Sequence, residues 1–141
     1  FVGNVLRLEL LARAGLSQQL LDESLAYQLY MADRTGTLWE NDGAYASCDH
    51  GFASHGGVRA LYRDVLGLAS VDTVRKTVQL RFTDLKLDRC EGSMPTPDGE
   101  VALAWRRDGG RLLYRLAVPA GYAVAVDNQS SLQPVKTTDP L

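Results

Sequence analysis

The spacing of hydrophobic residues changes about halfway along this chain of 141 residues. In the first half, apolar residues recur every three or four positions, which is typical of amphipathic helices. The pattern predicts a first helix up to Gly15, a second from a Ser17 cap to about Arg34, and a third over 58–65 that stops at Gly67. The stripe of the first helix comprises Val2, Val5, Leu6, Leu10 and Ala14, and the mostly apolar stripe of the second comprises Leu20, Leu21, Leu25, Gln28, Leu29 and Ala32.

In the second half, apolar residues alternate with polar or small ones, which predicts β-strands. Asp108-Gly109-Gly110 is a hairpin signal, Pro119-Ala120-Gly121 is a second turn, and Asp98-Gly99 is a third. Strands joined by such short turns favour an antiparallel sheet, and about four of them are enough for one sheet of a small sandwich. The predicted strands lie at 78–82, 101–105, 112–118 and 122–126.

The period changes between Ser70 and Lys76, which predicts a helical domain over 1–70 and a β domain over 71–141. The predicted fold class is therefore α+β, with three helices followed by an antiparallel, sandwich-like β domain. The polar tail from Gln129 contains prolines and is expected to be frayed.

Three amphipathic helices make a thin domain, so we expect their remaining apolar faces to pack against further helices outside this chain. The chain starts at Phe1 within a helical pattern, which favours a fragment of a longer protein. Such a fragment is expected to expose helix faces through which copies can self-associate.

Composition narrows the classes of partner. Hydrophobic residues at 45% and charged residues at 23% are ordinary for a globular protein. The net charge of −2 and the lack of a basic cluster argue against nucleic-acid binding. No apolar run approaches the roughly 18 residues of a membrane span. Arg7 and Glu9 interrupt the apolar N-terminal stretch, so no signal peptide is expected. Cys48 and Cys90 belong to no CxxC motif and are expected to be free thiols.

The segment from Gly36 to His55, GTLWENDGAYASCDHGFASH, concentrates the reactive residues of the chain. It lies between predicted helices and is expected to be one long functional loop, with Ser54 as a cap for the third helix. Within it, Trp39-Glu40 fits a carboxylate that acts as a general base on water, beside an indole that stacks on a sugar. A surface glutamate beside a core tryptophan fits the same two residues.

His50 is the second candidate site residue. A histidine with a near-neutral pKa can hydrogen-bond a sugar hydroxyl, but by itself the sequence favours a helix cap or a buried, hydrogen-bonded histidine at His50. His50 and His55 lack the i, i+4 spacing of helical metal ligands, and a Cys48-His50 pair has no third member. No metal site and no thiol nucleophile are therefore expected. Asp42 or Asp49 offers a second carboxylate for a glycosidase, but the spacing leaves its distance from the first open.

The order of these motifs resembles the C-terminal part of bacterial α-L-rhamnosidases of glycoside hydrolase family 78. The resemblance rests on TGTLWE, then SCDHGFASH, then LYRDVLGL. In addition, FVGNVLRLELLARAG is similar to a late helix of that family's catalytic barrel, and the stretch from KTVQLRF to LAVPAGY is similar to its C-terminal β domain. The resemblance covers nearly the whole chain, and Trp-Glu followed by Ser-x-x-His is its most specific part.

The resemblance implies an (α/α)6 catalytic barrel followed by a β-sandwich, and hydrolysis of terminal α-L-rhamnosides with inversion. It also implies that Glu40 is the general base, that Trp39 is the neighbouring aromatic, and that His50 lies in the sugar pocket. The family often has Asn before this histidine and an aromatic after it, where this chain has Asp49 and Gly51. Because the family's general acid lies upstream, the isolated chain is expected to be inactive. The implied ligand is a rhamnose-containing glycoside, and no cofactor is expected.

Two other functional classes fit the sequence. A non-catalytic carbohydrate-binding or accessory β module would use Trp105, Tyr114 and Tyr122 as a sugar platform, although their alternating positions favour the core. A helical protein-interaction fragment is the other class. Convergence of the loop residues on one cleft favours the enzyme, whereas aromatics aligned on an open sheet face favour the binding module.

Overall fold

A computed structural model describes residues 2–36 and 51–140 of the chain. The chain divides into two compact units, Phe1–Leu61 and Tyr62–Leu141. Helices form the first unit and strands dominate the second, so the α+β class is confirmed. The described elements are α1 (Val2–Arg13), α2 (Ser17–Thr35), α3 (Gly51–Ala60), a π-helical turn (Leu61–Leu66), β1 (Leu68–Asp72), β2 (Thr77–Phe82), β3 (Arg89–Thr96), β4 (Gly99–Asp108), β5 (Arg111–Ala117), β6 (Ala123–Asn128) and β7 (Gln133–Lys136).

The boundary between α1 and α2 is built around Gly15, as the sequence predicts. Gly15 has φ +71°, its N–H donates to the Ala12 carbonyl at 3.1 Å, and the Leu16 N–H donates to the Leu11 carbonyl at 2.9 Å. This pair of bonds is a Schellman motif, which satisfies the last carbonyls of the helix. The predicted Ser17 cap is wrong, because Leu16 is the N-cap residue of α2 and makes no side-chain cap bond.

The helix α3 begins earlier than the sequence predicts. The expected loop ran to His55, whereas residues from Gly51 onwards already belong to α3. The glycines of α3 weaken its helical signal, but two of them permit close packing. A Cβ on Gly56 would lie 2.7 Å from a Val5 methyl, and a Cβ on Gly57 would lie 2.5 Å from the Gln28 side-chain nitrogen. Tertiary packing therefore overrides a poor local propensity.

We expect Gly56→Ala and Gly3→Ala to change stability in opposite directions. An alanine in a helix gains about 0.5–1 kcal/mol over glycine, and Gly3 has open space around it. At Gly56 that gain is outweighed by overpacking, which costs about 1–3 kcal/mol, because the β-branched Val5 cannot easily turn away. Urea unfolding of both variants measures the difference. A stabilising Gly56→Ala would contradict the close contact.

The helical unit buries one set of apolar side chains and leaves another exposed. Leu8, Leu20 and Met31 are buried, whereas Leu10 and Leu29 are exposed to 66% and 62%. The exposed leucines follow the helical repeat, since Leu6 and Leu10 lie four residues apart on α1 and Leu25 and Leu29 do so on α2. This second apolar face was expected from the sequence.

Among the described residues, none of the helices combines the length and hydropathy that a bilayer span requires.

The described part of the β unit contains two sheets, which is consistent with the sandwich-like domain that the sequence predicts, and it has seven strands where the sequence locates about four. Their strand orders are β1-β2-β6 and β3-β4-β5-β7. The predicted Asp108-Gly109-Gly110 turn is confirmed as the hairpin between β4 and β5. The turn at Pro119-Ala120-Gly121 leads from β5 to β6 in the other sheet, where β6 pairs with β2 in parallel. In the other sheet, β7 pairs with β5 in parallel. Each sheet therefore has one parallel pair at an edge, which corrects the purely antiparallel prediction.

The predicted frayed tail is also corrected, because Gln133–Lys136 forms β7 and pairs in parallel with β5. Asp84 holds the turn before β7: its two carboxylate oxygens accept the Ser131 N–H at 3.0 and 3.2 Å, and the Ser131 hydroxyl donates to one of them at 2.9 Å. Like β1 and β3, β7 is an edge strand with no clear apolar alternation. Its pairing comes from tertiary contacts that the local pattern does not encode.

The core of the β unit consists of the alternating residues that the sequence identifies. On each of β2, β4 and β5 the apolar set is buried and the residues between are more exposed. The Trp105 and Tyr114 side chains lie opposite each other across the β4–β5 pair. The buried sets are Val78, Leu80 and Phe82; Val101, Leu103 and Trp105; and Leu112, Tyr114 and Leu116.

The π-helical turn Leu61–Leu66 is tied to the sheets of the β unit. The Tyr62 hydroxyl donates to the Ser93 carbonyl at 2.8 Å, and the Trp105 indole N–H donates to the Leu66 carbonyl at 2.9 Å. Gly67 ends the turn as predicted, at φ +97°, and a Cβ there would lie 2.8 Å from the Arg81 carbonyl oxygen. Residues from Tyr62 on thus pack with the β unit, nine positions before the predicted boundary at 70/71.

Candidate functional site

The predicted site residues lie in the connection between α2 and α3. The helix α2 ends at Thr35, and Gly36 caps it in the left-handed conformation, with its N–H donating to the Ala32 carbonyl at 2.9 Å. The helix α3 starts at Gly51. Trp39, Glu40 and His50 fall at positions 37–50, outside the described residues. Their convergence on one cleft therefore stays a prediction, as do the roles considered for Asp42, Cys48 and Asp49.

Metal and thiol chemistry have no support in the described part of the chain. Within residues 2–36 and 51–140, no group of three or more His, Cys, Asp or Glu side chains is placed to hold a metal ion. Cys90 is a half-buried free thiol on β3, and burial raises the pKa of this thiol. A raised thiol pKa reduces the thiolate fraction and hence nucleophilicity.

The aromatic residues of the β unit do not form an open sugar platform. Trp105 and Tyr114 are buried, and the Tyr114 ring packs on Phe82 with ring centroids 5.2 Å apart. Burial raises the pKa of the Tyr114 hydroxyl. The Tyr122 ring is half-buried and covered by the Lys76 ammonium, 5.4 Å from its centroid. Stacking on a sugar needs an exposed ring face, so the core interpretation of Trp105 and Tyr114 is confirmed.

The structure reveals a polar cluster that the sequence pattern does not predict. Lys76, Asp98 and Tyr122, which we call the turn cluster, come from three different turns of the β unit. The Lys76 ammonium pairs with the Asp98 carboxylate, and the Tyr122 hydroxyl donates to the same carboxylate at 2.7 Å. Lys76 has φ +53°, and its carbonyl accepts the Ala123 N–H at 2.8 Å. The cluster links the two sheets, because β2 and β6 belong to one and the Asp98 turn to the other.

The ionisation of the turn cluster follows from these contacts. The hydrogen bond from Lys76, and then that from Tyr122, holds the pKa of Asp98 below its usual value. The hydrogen bond to Asp98 raises the pKa of Lys76. Burial and the bond to Asp98 raise the pKa of Tyr122. All three pKa shifts favour a charged Lys76, a charged Asp98 and a neutral Tyr122 hydroxyl. Groups held in these protonation states stabilise the fold and are poor acids or bases in catalysis.

We expect Asp98→Asn to reduce the dependence of stability on acid pH. The folded pKa of Asp98 lies below the ordinary value of 3.8, so its contribution is full above that value and disappears as the pH falls through the folded pKa. The difference in unfolding free energy between wild type and Asp98→Asn should therefore shrink on acidification below pH 3.8. Urea unfolding across this range measures it. The same change at the exposed Asp88 is the control, and a pH-independent difference would contradict the tie.

A shallow groove of about 420 Å³ lies on the outer face of the four-stranded sheet. Its floor is formed by small residues such as Ala102 and Ala104, and its walls carry Glu91, Glu100 and Arg115. All three charged side chains belong to exposed residues. The groove therefore lacks the buried, converging polar groups that typify a ligand site.

The described residues thus define an α+β protein in which a small helical unit precedes a β unit of two mixed sheets. Comparison with solved structures finds this architecture in the crystal structure of a GH78 family rhamnosidase of Bacillus sp. GL1, with a TM-score of 0.64 and 23% sequence identity. The match covers 96% of this chain and 16% of that chain. The resemblance inferred from the sequence is confirmed at the level of the fold. No protein-family model matches the chain, and no curated protein matches it either.

Proposed function

We propose that this chain is the C-terminal part of an inverting glycoside hydrolase that removes terminal α-L-rhamnose from glycosides. The observation that carries the proposal is the fold shared with a GH78 rhamnosidase over 96% of the chain. The chain spans only 16% of that structure's chain, so the activity belongs to a longer protein. The Trp-Glu and Ser-x-x-His motifs occur in the chain order that the family resemblance implies.

In this proposal Glu40 is the general base. An inverting glycosidase places a water between a base carboxylate and the anomeric carbon, while a carboxylic acid on the other face protonates the leaving oxygen. Trp39 supplies an apolar wall beside the base, which keeps the carboxylate partly desolvated and hence more basic. His50 hydrogen-bonds a sugar hydroxyl. The general acid comes from a part of the protein that precedes this chain.

We assign the two parts of the chain to two domains of the longer enzyme. Residues 1–70 contribute the last helices of an (α/α)6 barrel and the active-site loop, and residues 71–141 form the C-terminal β domain. The exposed leucines of α1 and α2 support this assignment, because a barrel requires each helix to pack on neighbours at more than one face. The buried aromatics of the β unit favour it over the alternative carbohydrate-binding module.

The stereochemistry of the product tests the proposal. The full-length protein is incubated with an aryl α-L-rhamnoside, and the first-formed sugar is followed by NMR. We expect β-L-rhamnose to appear first and then to mutarotate, because water attacks from the face opposite the leaving group. Initial formation of α-L-rhamnose would exclude inversion, and no hydrolysis of any α-L-rhamnoside would exclude the proposed substrate class.

The isolated chain of 141 residues should not hydrolyse the same substrate. It supplies the proposed base but no general acid, and an aryl or alkyl oxide leaves slowly when it is not protonated. Release of the chromogenic aglycone by the purified chain, compared with buffer, measures this. Turnover well above the buffer rate would mean that both catalytic groups lie within these residues.

A further inference from the structure

The two sheets of the β unit have four edges, formed by β1 and β6 in one sheet and by β3 and β7 in the other. An edge strand presents unpaired N–H and C=O groups, which are a template for another strand. Proteins usually block such edges with prolines, charged residues, bulges or very short strands. Whether each edge is blocked therefore indicates where another strand can add.

Three of the four edges are blocked. The edge of β1 is interrupted by an irregular register between Leu68 and Ser70. The strand β7 has only four residues and contains a proline and a lysine. The strand β3 contains a proline and charged residues at its exposed positions. The blocking residues are Arg89, Glu91 and Pro95 on β3, and Pro134 and Lys136 on β7.

The edge of β6 has no proline, no bulge and no unpaired charge. Its sequence is AVAVDN, it pairs with β2 in an unbroken register, and it has no proline or lysine. Its one charge, Asp127, is already paired, because the Arg81 Nε lies 3.0 Å from a carboxylate oxygen of Asp127. The edge is therefore close to electrically neutral.

The backbone of β6 shows which groups are free to pair. The Ala123 N–H donates to the Lys76 carbonyl and the Gln129 N–H donates to the Phe82 carbonyl, each at 2.8 Å. In a parallel pair, alternate residues direct both backbone groups to the same neighbour. The odd-numbered residues of β6 therefore bond to β2, and the N–H and C=O groups of Val124 and Val126 point to the open edge.

The side chains of the same two residues leave apolar surface at this edge. Val124 aligns with Val78 and Val126 aligns with Leu80, and both of these β2 residues are fully buried on the core side. Val124 and Val126 nevertheless remain 40% and 42% exposed. Unpaired backbone groups and exposed valines thus coincide on one strand.

We propose that β6 is a self-association edge, which pairs antiparallel with β6 of a second copy about a two-fold axis through Ala125. In this register Val124 lies opposite Val126 of the other copy, and both residues use backbone groups that point outward. Asp127 lies opposite Ala123, so the two carboxylates stay apart and no like charges face each other. The result is one continuous sheet of six strands across the dimer.

A second copy fits this edge because the strand complements itself in hydrogen bonding, in apolar surface and in charge. Isologous contacts of this kind close into a dimer instead of a fibre. Six residues per copy make a small interface, so the dimer should be weak and depend on concentration. Sedimentation velocity on the full-length protein over a concentration series detects it.

Proline at position 126 tests the edge directly. The Val126 N–H points away from β2, so Val126→Pro removes a donor at the dimer contact and no hydrogen bond within the sheet. We expect the association constant to fall by at least about tenfold, with circular dichroism and the melting temperature close to wild type. A protein that is monomeric at every concentration would overturn the proposal.

Two lysine substitutions on the same strand test the register without a proline. Ala125→Lys places two lysines opposite each other and should weaken association, whereas Ala123→Lys faces Asp127 of the second copy and should preserve or strengthen it. Equal effects of the two variants would overturn the register. A dimer that survives all three changes but is lost in Leu10→Lys would overturn the β6 edge in favour of the exposed helix face.

Discussion

Full-length protein carrying Glu40→Gln is expected to fold normally and to lose about 10²–10⁴-fold in kcat on an aryl α-L-rhamnoside. The amide keeps the size of the carboxylate but cannot accept a proton from the attacking water. The general acid is unchanged in this variant and still protonates the leaving oxygen, so the loss in kcat reports the base step. Substrate affinity should change little, since the contribution of a base is made mainly in the transition state.

The matched control is Glu91→Gln, the same change at an exposed carboxylate of β3. It should leave kcat and KM unchanged. Azide offers a second readout, because it attacks the anomeric carbon without needing a base. In the Glu40→Gln enzyme, azide should restore turnover and yield a rhamnosyl azide of inverted configuration. Full activity of Glu40→Gln, or a loss that azide does not relieve, would remove Glu40 from the role of base.

The second large effect is expected from Trp105→Ala, which should lower the free energy of unfolding by about 3–5 kcal/mol. Trp105 is 4% exposed and belongs to the core of the β unit. Its indole N–H also donates to the Leu66 carbonyl at 2.9 Å, so truncation opens a cavity and leaves a buried carbonyl without its donor. Natural domains have total stabilities of roughly 5–15 kcal/mol, so this loss is severe.

Trp105→Phe separates the contribution of the indole hydrogen bond from that of apolar packing, and Arg106→Ala is the control. Trp105→Phe keeps most of the apolar volume and removes the hydrogen bond, so it should cost about 1–3 kcal/mol. Arg106→Ala, at the exposed neighbouring position, should stay within about 0.5 kcal/mol of wild type. Urea unfolding followed by circular dichroism measures all three. A Trp105→Ala protein as stable as wild type would contradict the packing described for β4.

The sequence predicts the helices and inner strands well because their signals are local. Helix ends at Gly15 and Gly36 follow from the left-handed backbone that glycine adopts without strain. Strands β2, β4 and β5 follow from an alternation that burial on one face imposes. The order of the Trp-Glu and Ser-x-x-His motifs likewise predicts the fold that the chain shares with a GH78 rhamnosidase.

The start of α3 and the three missed strands were not predictable in the same way. The glycines of α3 argue against a helix in a local pattern, yet Gly56 is needed because the Val5 side chain packs too closely for a Cβ. The strand β7 reads as a polar tail, yet Asp84 and β5 hold it. In each case the decisive partner is distant in sequence, so a short window contains no signal for it.

For the candidate site, too, some properties are local in sequence and others depend on distant segments. The residue types in Trp39-Glu40 and His50 determine which chemistry is possible, since a carboxylate, an indole and an imidazole are the groups that sugar hydrolysis uses. In the proposed enzyme, their assembly into a pocket requires the ends of two helices and a general acid from another part of the protein. Residue spacing alone leaves two interpretations of Glu40 open, whereas the family resemblance implies that Glu40 is the general base.

The sequence by itself determined the α+β class, the helix stops, the inward-facing residues of the central strands and the chemical character of the 36–55 segment. These properties depend on backbone preferences and on the separation of apolar from polar side chains along the chain. Only the tertiary structure decided that the strands form two mixed sheets, that Lys76, Asp98 and Tyr122 meet, and that the edge of β6 is open. Those properties arise from pairing between distant segments, whose energy depends on which partners the fold brings together.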